Sequence, residues 1–479
     1  IPKLIVSGSW DEPSNWSTNA VPNDGANVVI QADVTLYSDV NVNDLTIDGG
    51  SIIIEEGVSL TVTGTLINDD ARNLIMSDGS QIFQNNADVP ATFSMRIINP
   101  QAWTEKNKDG WQFISSPFTN AKLSDFTSAD TYDLYRYDGS NTNEEWRNYK
   151  DQSNGNYFGT TFESGVAYLA SYESLKFATL TGSLNASNTF HKDLEYSNKE
   201  LENFYLIGNP FSFDMDMNSV SYNNLVEGYA VVNNDGGYDY YGASSSNGAG
   251  TVKVGDGFFV KAINANPSLS YEKLRGDSQK RNAINSLNVI VTSNAGRDNV
   301  VINLSGEKEG FPKMKNFNEK IAKVFVYEND VRYGIYNCDA ETEQIDVFFE
   351  TKQMDNYTIS VEADGKFESV ILVDCASGVE TNVLLEDYSF MSSSQRFVLK
   401  IRQQSNVDNQ SHFAYMSGNE LIIEAQGLIQ IFDVMGRIHY SDEMTDDKNR
   451  IDLSSYMSGT YMVRVVDGDN VRTEKILVY

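Results

Sequence analysis

The first hundred residues alternate very short apolar runs with polar turns. Typical runs are Val34–Leu36 and Ile52–Ile54, and Gly, Asn or Asp follows most such runs within a few positions. A helix would instead repeat its apolar positions with a period of about 3.6 residues. Runs this short suit the rungs of a parallel β-helix, in which each coil buries its inward side chains only against its neighbours. The pattern predicts such a β-helix over residues 1–95, with an N-terminal cap that contains Trp10 and Trp16.

Strand-like runs rich in aromatic residues fill the middle of the chain. Gly, Asn and Pro bound these runs, as is typical of β-sandwiches. We predict an aromatic-rich β-sandwich over residues 96–274 and, after a polar linker, a second sandwich of immunoglobulin-like size over residues 284–404. The runs that carry these predictions include Trp111–Phe118, Tyr132–Asp138, Phe204–Phe211, Val254–Lys261, Leu287–Thr292, Asn299–Leu304 and Phe367–Val373.

The last part of the chain consists of short strand patterns separated by turn residues. Apolar and polar positions alternate around Tyr461, Val463 and Val465, and an Asp-Gly-Asp-Asn turn precedes the final strand pattern. This combination is typical of a small antiparallel sandwich. Together with the upstream patterns, it predicts an all-β chain.

The sequence of this tail resembles the C-terminal sorting domain of type IX secretion cargo from Gram-negative bacteria. The stretches "IFDVMGR", "IDLSSYMSGTYMVRV" and "TEKILV" carry the resemblance, which covers residues 412–479. It implies an immunoglobulin-like sorting domain and export across the outer membrane to the cell surface or the medium. It also implies that a translocon reads the tail and that a surface sortase removes it. The residues that it assigns to recognition are Gly436, Arg437, Gly459, Tyr461, Lys475, Ile476, Leu477 and Val478.

The final stretch, Lys475–Tyr479, offers a second route to a partner. A strand edge carries unpaired N–H and C=O groups that another strand can complete, and alternate side chains supply the register. We therefore expect a barrel-type outer-membrane shuttle to engage this end, with Ile476 and Val478 setting the register. Residues 403–411 are polar and lack apolar periodicity, which makes them the expected hinge and cleavage region.

Other stretches resemble modules of large bacterial surface proteins. "DVTLYSDVNVNDLTIDGGSIIIEEGVSLTVTGTLIN" resembles a short right-handed β-helix, and "GWQFISSPF" and "LIGNPFS" resemble a module found upstream of sorting tails. "DNVVINL" and "YTISVEADGKFESVILVD" resemble the strand-rich domain that often precedes the tail. These resemblances imply the order of the modules and leave their biochemical role open.

The net negative charge of the chain disfavours anionic partners. The chain has 67 Asp and Glu against 36 Lys and Arg, a formal net charge of −31. Such a surface repels phosphate backbones and anionic membranes, so nucleic-acid binding is disfavoured. No apolar run approaches the length of about 18 residues that a membrane helix needs. Because the sequence starts at Ile1 without a signal peptide, we expect either a mature N-terminus or a cut inside a longer chain, and favour the cut.

One stretch of alternating oxygen ligands could begin a calcium loop. Asp214, Asp216 and Asn218 follow the D-x-D-x-[DN] spacing, which makes calcium the candidate cofactor. Ser219 stands where that motif has Gly, and Leu225 where it has a bidentate Glu. On a strand, the same spacing would point the three polar side chains to solvent and the intervening methionines inward. We favour the strand.

Aromatic side chains supply a candidate glycan contact, and the two thiols supply a candidate disulfide. Trp146, Tyr238, Tyr240 and Tyr241 could stack on sugar rings as glycan contacts, although aromatic residues also dominate sandwich cores. The only cysteines, Cys338 and Cys375, could form a disulfide in an oxidising compartment or remain two separate thiols.

No catalytic constellation emerges from the sequence. The three histidines, His191, His412 and His439, lie in no metalloprotease motif and beside no nucleophile motif, and no P-loop is present. We expect a non-enzymatic, structural or adhesive region of a type IX cargo, with glycans and host or cell surfaces as candidate ligands. The alternatives are an accessory spacer or carbohydrate-binding region of an extracellular hydrolase with its catalytic domain before Ile1, and a free-standing glycan-binding adhesin.

Overall fold

The computed structural model describes most of the chain as two compact units, Ile1–Arg402 and Gln403–Tyr479. The described residues are 1–98, 110–127, 131–139, 145–151, 158–174, 176–197, 203–242, 250–272, 284–306, 309–404, 413–417, 419–433, 436–446, 448–467 and 470–478, with side chains except at 392–395, 470 and 477. Strands dominate both units, and the described part contains one α-helix, α1 (Leu123–Thr127). The all-β prediction is confirmed. Within the described residues, no helix has the length and apolar character needed to cross a membrane.

The first unit begins with short strands that pair in parallel and mostly alternate between two sheets. One sheet has the order β1-β3-β5-β7-β10, with β8 also on β5, and the other has the order β2-β4-β6-β9-β11. Most of these strands bury alternate side chains between the sheets, as in the buried, half-buried, buried pattern of β4 and β6. The strands are β1 (Lys3–Leu4), β2 (Gly8–Ser9), β3 (Ala26–Ile30), β4 (Val34–Leu36), β5 (Val40–Ile47), β6 (Ile52–Ile54), β7 (Ser59–Val62), β8 (Leu66–Ile67), β9 (Leu74–Ser77), β10 (Gln81–Phe83) and β11 (Pro90–Arg96).

Tight corners and aromatic packing hold these strands in place. A Cβ atom on Gly50 would lie 2.3 Å from the carbonyl oxygen of Ala32, so only glycine allows the two turns to stack this closely. Near the start of the chain, the indole rings of Trp10 and Trp16 are buried edge to face with centroids 4.8 Å apart. The Trp16 Nε1–H donates to the Trp10 carbonyl oxygen at 2.8 Å, which satisfies the buried polar group.

Antiparallel sheets follow in the middle of the first unit. β11 pairs in parallel with β9 and antiparallel with β16, so the early strands continue directly into this region. The other sheets have the orders β12-β15-β13-β14, β17-β25-β20, β18-β24-β21-β22 and β19-β23. The strands are β12 (Gln112–Ile114), β13 (Tyr132–Tyr137), β14 (Trp146–Asn148), β15 (Tyr168–Tyr172), β16 (Phe177–Ser183), β17 (Thr189–Asp193), β18 (Phe204–Gly208), β19 (Met215–Asp216), β20 (Val220–Asn223), β21 (Gly228–Val232), β22 (Tyr238–Gly242), β23 (Thr251–Val252), β24 (Gly257–Lys261) and β25 (Ser268–Glu272).

A nine-stranded sheet completes the first unit. Its order is β26-β27-β30-β29-β31-β34-β32-β33, β28 joins β30, and an additional pairing of β26 with the long β31 closes part of the sheet on itself. The strands are β26 (Asn285–Ser293), β27 (Gly296–Leu304), β28 (Phe311–Pro312), β29 (Lys323–Glu328), β30 (Val331–Cys338), β31 (Gln344–Asp364), β32 (Phe367–Asp374), β33 (Glu380–Asn382) and β34 (Tyr388–Gln403).

One core cluster joins the two sandwich regions predicted from the sequence. Phe113, Tyr240 and Phe259 from the middle strands pack in the same buried cluster as Val301 and Ile335 from the nine-stranded sheet. The contacts therefore cross the sequence interval in which the linker was predicted. This shared core explains why residues 1–402 behave as one compact unit.

The second unit is a small two-sheet sandwich. One sheet has the order β35-β36-β39 and the other β38-β37-β40-β41. Their facing side chains, among them Leu421, Ile431, Val463 and Ile476, form a core of this unit's own. The strands are β35 (Ala414–Ser417), β36 (Glu420–Ile423), β37 (Gly427–Asp433), β38 (Ile438–Met444), β39 (Asn449–Asp452), β40 (Gly459–Asp467) and β41 (Asn470–Val478).

Candidate functional sites

The last strand of the second unit lies at the edge of its sheet. β41 pairs antiparallel with β40, with Gly459 opposite Val478 and Tyr461 opposite Ile476. Within the residues that the structure describes, no second strand pairs with the other side of β41. Its outer N–H and C=O groups are therefore placed for pairing with a partner strand.

The side chains of this strand divide into an inner and an outer set. Ile476 and Val478 are 4% and 8% exposed and belong to the core, whereas Lys475 is exposed. Burying each aliphatic side chain stabilises the sheet by about 1.5–3 kcal/mol. Of the residues predicted for recognition, Lys475 and the strand edge are thus on the surface, Ile476 and Val478 hold the strand in place, and the Leu477 side chain lies outside the described set.

Gly436 and Arg437 form part of a tight turn between β37 and β38. Gly436 has φ +80°, a conformation that side chains disfavour, and its N–H donates to the Asp433 carbonyl oxygen at 2.9 Å. The Arg437 Nε–H donates to Asp433 Oδ2 at 2.7 Å, and His439 Nε2 lies 3.1 Å from the same oxygen. These contacts show that Gly436 and Arg437 stabilise the turn. Both residues are also exposed and so remain accessible to a partner.

Tyr461 is a core residue of the second unit. Its side chain is 5% exposed, and its hydroxyl donates to the Met457 carbonyl oxygen at 3.0 Å. The ring packs against His439 and Tyr456, with centroids 5.5 and 5.4 Å away. Gly459, which starts β40, is exposed. The eight residues assigned to recognition are therefore a mixture of surface and supporting positions.

The candidate glycan contacts do not form an exposed platform. Tyr238 and Tyr240 are 2% and 0% exposed, and Trp146 and Tyr241 are half-buried. Burial raises the pKa of both Tyr238 and Tyr240, and the Tyr240 hydroxyl accepts from the Met314 N–H at 2.6 Å. Because these rings fill the core beside Phe113 and Phe259, the prediction of a sugar platform at Tyr238 and Tyr240 is corrected by the structure.

Two of the calcium candidates already accept hydrogen bonds from backbone N–H groups. Asp214 Oδ1 accepts from the Val254 N–H at 3.0 Å, and burial raises the pKa of this carboxyl. Asp216 Oδ1 accepts from the backbone N–H of Asn218 at 2.9 Å and caps a short 3-10 turn. Met215 and Met217 are buried, as the strand alternative predicts, but the strand ends at Asp216 and Met217–Ser219 form the 3-10 turn. In the described part of the chain, no group of three or more acidic, His or Cys side chains could hold a metal ion.

The two cysteines are free thiols in the structure. Cys338, at the end of β30, is half-buried with its Sγ 3.5 Å from the Asn303 carbonyl oxygen, and burial raises its pKa. Cys375 is exposed in the turn after β32. The candidate disulfide is therefore not formed in this structure.

A chain of three polar side chains, missed by sequence reasoning, lies on the sheet of β17, β25 and β20. His191 Nδ1 lies 2.7 Å from Ser270 Oγ, and His191 Nε2 lies 3.0 Å from Asp193 Oδ1. His191 and Ser270 are direct cross-strand partners, which brings them together from 79 positions apart. The His191 and Asp193 side chains are 58% and 88% exposed, so water competes for every contact. Of the other histidines, His412 lies outside the described residues.

A second feature without a sequence signal is a groove on the first unit, with a volume of about 1190 Å³. Its walls come from the segment between β17 and β18, from the end of β24, from β28 to β31 and from β34, several of which are far apart in sequence. The lining is aromatic and charged and includes Tyr196, Lys261, Glu309, Phe325, Tyr327, Arg332, Tyr333 and Phe348. Pairing of distant strands creates the groove, which is why no local motif marks it.

The groove combines ring faces with charges. Phe325 and Phe348 stack with centroids 5.9 Å apart, and Tyr327, which is 45% exposed, meets Phe348 edge to face. The Arg332 guanidinium lies 4.8 Å above the Phe325 ring and pairs with Glu350 at 2.9 Å. Burial lowers the pKa of Lys261 to about 8. The surface thus offers apolar faces and hydrogen-bonding groups side by side.

Comparison with family models gives a match in each part of the chain. Residues 4–226 match the family described as a domain of unknown function (DUF8693), and residues 414–479 match the secretion system C-terminal sorting domain. No curated protein matches the chain. The sorting-domain match covers β35 to β41, including the edge strand and the Asp433–Arg437 turn. It indicates that this protein is a cargo of the type IX secretion system, exported across the outer membrane to the cell surface or the extracellular space.

Proposed function

We propose that this protein is a structural and adhesive type IX cargo whose first unit acts outside the cell after the tail has directed export. The sorting-domain match at residues 414–479 carries this proposal. In it, residues 1–95 act as a short right-handed β-helix, residues 96–274 and 284–404 as β-sandwich modules in series, and residues 412–479 as the sorting domain. The parallel pairing of β1 to β11 supports the β-helix assignment.

The edge of β41 is the proposed contact with the secretion machinery. A barrel-type shuttle would add a strand to this edge, with the translocon reading the exposed turn at Gly436 and Arg437. A surface sortase would then cut at residues 403–411, most of which lie outside the described set. The exposure of Lys475 and the second, unpaired side of β41 in the described residues support this route.

The groove is the proposed contact with glycans. Sugar rings have apolar C–H faces and polar edges, and the groove presents aromatic rings next to cationic and anionic side chains. Tyr327 is its most exposed ring in the part of the chain that the structure describes. This assignment replaces Tyr238 and Tyr240, whose rings are in the core.

Replacing Tyr327 with Ala is expected to reduce glycan retention on a glycan array at least tenfold, because stacking at the groove is lost. Tyr327→Phe keeps the ring and should keep most of the binding. Tyr37→Ala removes another exposed tyrosine, 64% exposed, from the parallel strands and should change nothing. Equal binding by the Tyr327→Ala variant and the unaltered protein would show that the ligand contact lies elsewhere.

The proposed function is non-enzymatic. The hydrogen-bonded side chains of Ser270, His191 and Asp193 are the arrangement that most resembles a catalytic triad, so they provide the most direct test. A serine nucleophile needs a base whose orienting carboxylate is shielded from water and donors that stabilise an oxyanion. Asp193 is 88% exposed, and the site lies open on a sheet surface. Purified protein should therefore release no product from activated ester or peptide substrates above blank. Turnover that disappears on Ser270→Ala but persists on Ser221→Ala would contradict this expectation.

A further inference from the structure

A lysine and an aspartate meet inside the first unit, where Lys313 also lines the inner wall of the groove. Asp298 lies in β27, and Lys313 follows β28 directly. Lys313 Nζ lies 2.9 Å from Asp298 Oδ2, and the two side chains are 3% and 0% exposed. All other Lys or Arg ion pairs in the described residues include at least one side chain that is 16% exposed or more. Removing both charges from water in this way costs several kcal/mol.

The surroundings of this pair are apolar on one side and incompletely hydrogen-bonded on the other. Lys313 Nζ lies 4.3 Å from the centre of the Tyr240 ring, which itself packs against Phe311. Asp298 Oδ2 accepts from the Val324 N–H at 2.8 Å. Asp298 Oδ1 is buried and has no hydrogen-bond partner among the residues that the structure describes. A fully charged carboxylate would be poorly satisfied here.

Burial makes the charged form of each group less favourable than it is in water. Burial raises the pKa of the Asp298 carboxyl and lowers the pKa of the Lys313 amine, and each partner's charge opposes the shift only in part. Asp239, another carboxylate whose charge acts on Lys313, is held by Arg297 through both oxygens. A desolvated lysine in its neutral form is a nucleophile. Transfer of one proton within the pair would therefore place a free amine beside a carboxylic acid, with both side chains almost fully buried.

We propose that Lys313 and Asp298 condense into an intramolecular amide bond. One proton first passes from the Lys313 ammonium to the Asp298 carboxylate and resides on Oδ1, which leaves a neutral amine and a carboxylic acid. The Nζ lone pair then attacks Cγ, the carbon of the Asp298 side-chain carboxyl group. The nitrogen gives up a second proton to Oδ1, and this oxygen leaves as water while a C–N bond replaces the C–O bond. Oδ2, held by the Val324 N–H, becomes the amide oxygen, so no external reactant is needed.

The bond would suit a protein that works outside the cell. It converts a buried ion pair into a neutral amide and removes the unsatisfied Oδ1 atom. It also ties β27 to the segment after β28, so tension along the chain could not extend the residues between Asp298 and Lys313. The exposed Lys150 and Asp133 pair has a similar separation of 3.0 Å, but its lysine side chain is 43% exposed. That pair should stay ionic because water still reaches the ammonium group.

Intact-mass spectrometry of the purified full chain tests the proposal. The expected mass is that of the sequence less one water. Proteolysis should then yield a branched peptide that joins the segments containing Asp298 and Lys313, and tandem spectra should place the link on these two side chains. A mass equal to that of the full sequence would overturn the proposal, and this measurement needs no variant.

Variants separate the amide from other losses of water. Lys313→Arg and Asp298→Ala should each abolish the mass deficit completely, whereas Lys323→Arg and Lys150→Arg should leave it unchanged. A succinimide at Asp298, next to Asn299, would also lose one water, but it would link no peptides, would hydrolyse in mild base and would persist in Lys313→Arg. That result, or a branched peptide joining other residues, would overturn the assignment.

Discussion

Deleting Lys475–Tyr479 is expected to trap the protein in the periplasm with the rest of its tail uncleaved. The deletion removes the buried Ile476 and Val478 side chains and about half of the edge strand β41, which is the proposed pairing surface for the shuttle. Cell fractionation with an antibody against residues 1–402 measures the outcome. We expect nearly all of the protein to move from the surface fraction to the periplasmic fraction.

Two point variants distinguish loss of the export signal from misfolding of the second unit. Ile476→Asp buries a charge in the core of the second unit and should block export through unfolding of that unit. Lys475→Ala changes an exposed side chain, so a defect in its export without a change in tail stability would indicate direct recognition. Residues 1–402 should resist protease equally in all three variants. Mature, surface-attached protein from the deletion strain would contradict the hypothesis that the end of the tail is the export signal.

Replacing Phe259 with Ala should destabilise the first unit by about 3–5 kcal/mol, because a large buried ring is lost and a cavity remains. Phe259 is fully buried and meets Tyr137, Phe113 and Phe204 at centroid distances of 4.8, 5.3 and 6.5 Å. The measurement is the midpoint of thermal unfolding, read together with limited proteolysis.

The same cluster contains residues from the nine-stranded sheet, so the effect should reach both predicted sandwiches. Protease sites on either side of residues 273–283 should become accessible together in Phe259→Ala. Tyr37→Ala, at an exposed ring, is the control and should leave the unfolding midpoint unchanged. If only one side of that interval became accessible, the two predicted modules would be separate folding units after all.

The strands themselves could be predicted because their signal is local. Val34–Leu36 and Ile52–Ile54 were apolar runs in the sequence and are β4 and β6 in the structure with the same bounds. Alternation within a strand depends only on which face is buried, and turn residues mark its ends. The tail could be predicted for a related reason, because its resemblance to sorting domains rests on contiguous residues in β37, β40 and β41.

Which aromatic rings face a ligand depends on strands that are distant in sequence. Tyr240 and Tyr327 both sit in strand patterns, but β24, β27 and β30 enclose the first ring and leave the second beside an open groove. Local alternation distinguishes the two faces of a strand and carries no information on what covers each face. The prediction of sugar contacts at Tyr238 and Tyr240 was wrong for this reason.

The sequence by itself determined the all-β class, the local strand positions and the secretion tail, since each depends on the order of neighbouring residues. Only the tertiary structure brought His191 to Ser270, assembled the groove and buried Lys313 against Asp298. Strand register sets these contacts over separations of 15 to 79 positions, and the free energy that selects a register comes from the burial of whole faces. A lysine after a proline, as in Lys313, would be expected on the surface from the sequence, and its burial follows from the strands that pack around it.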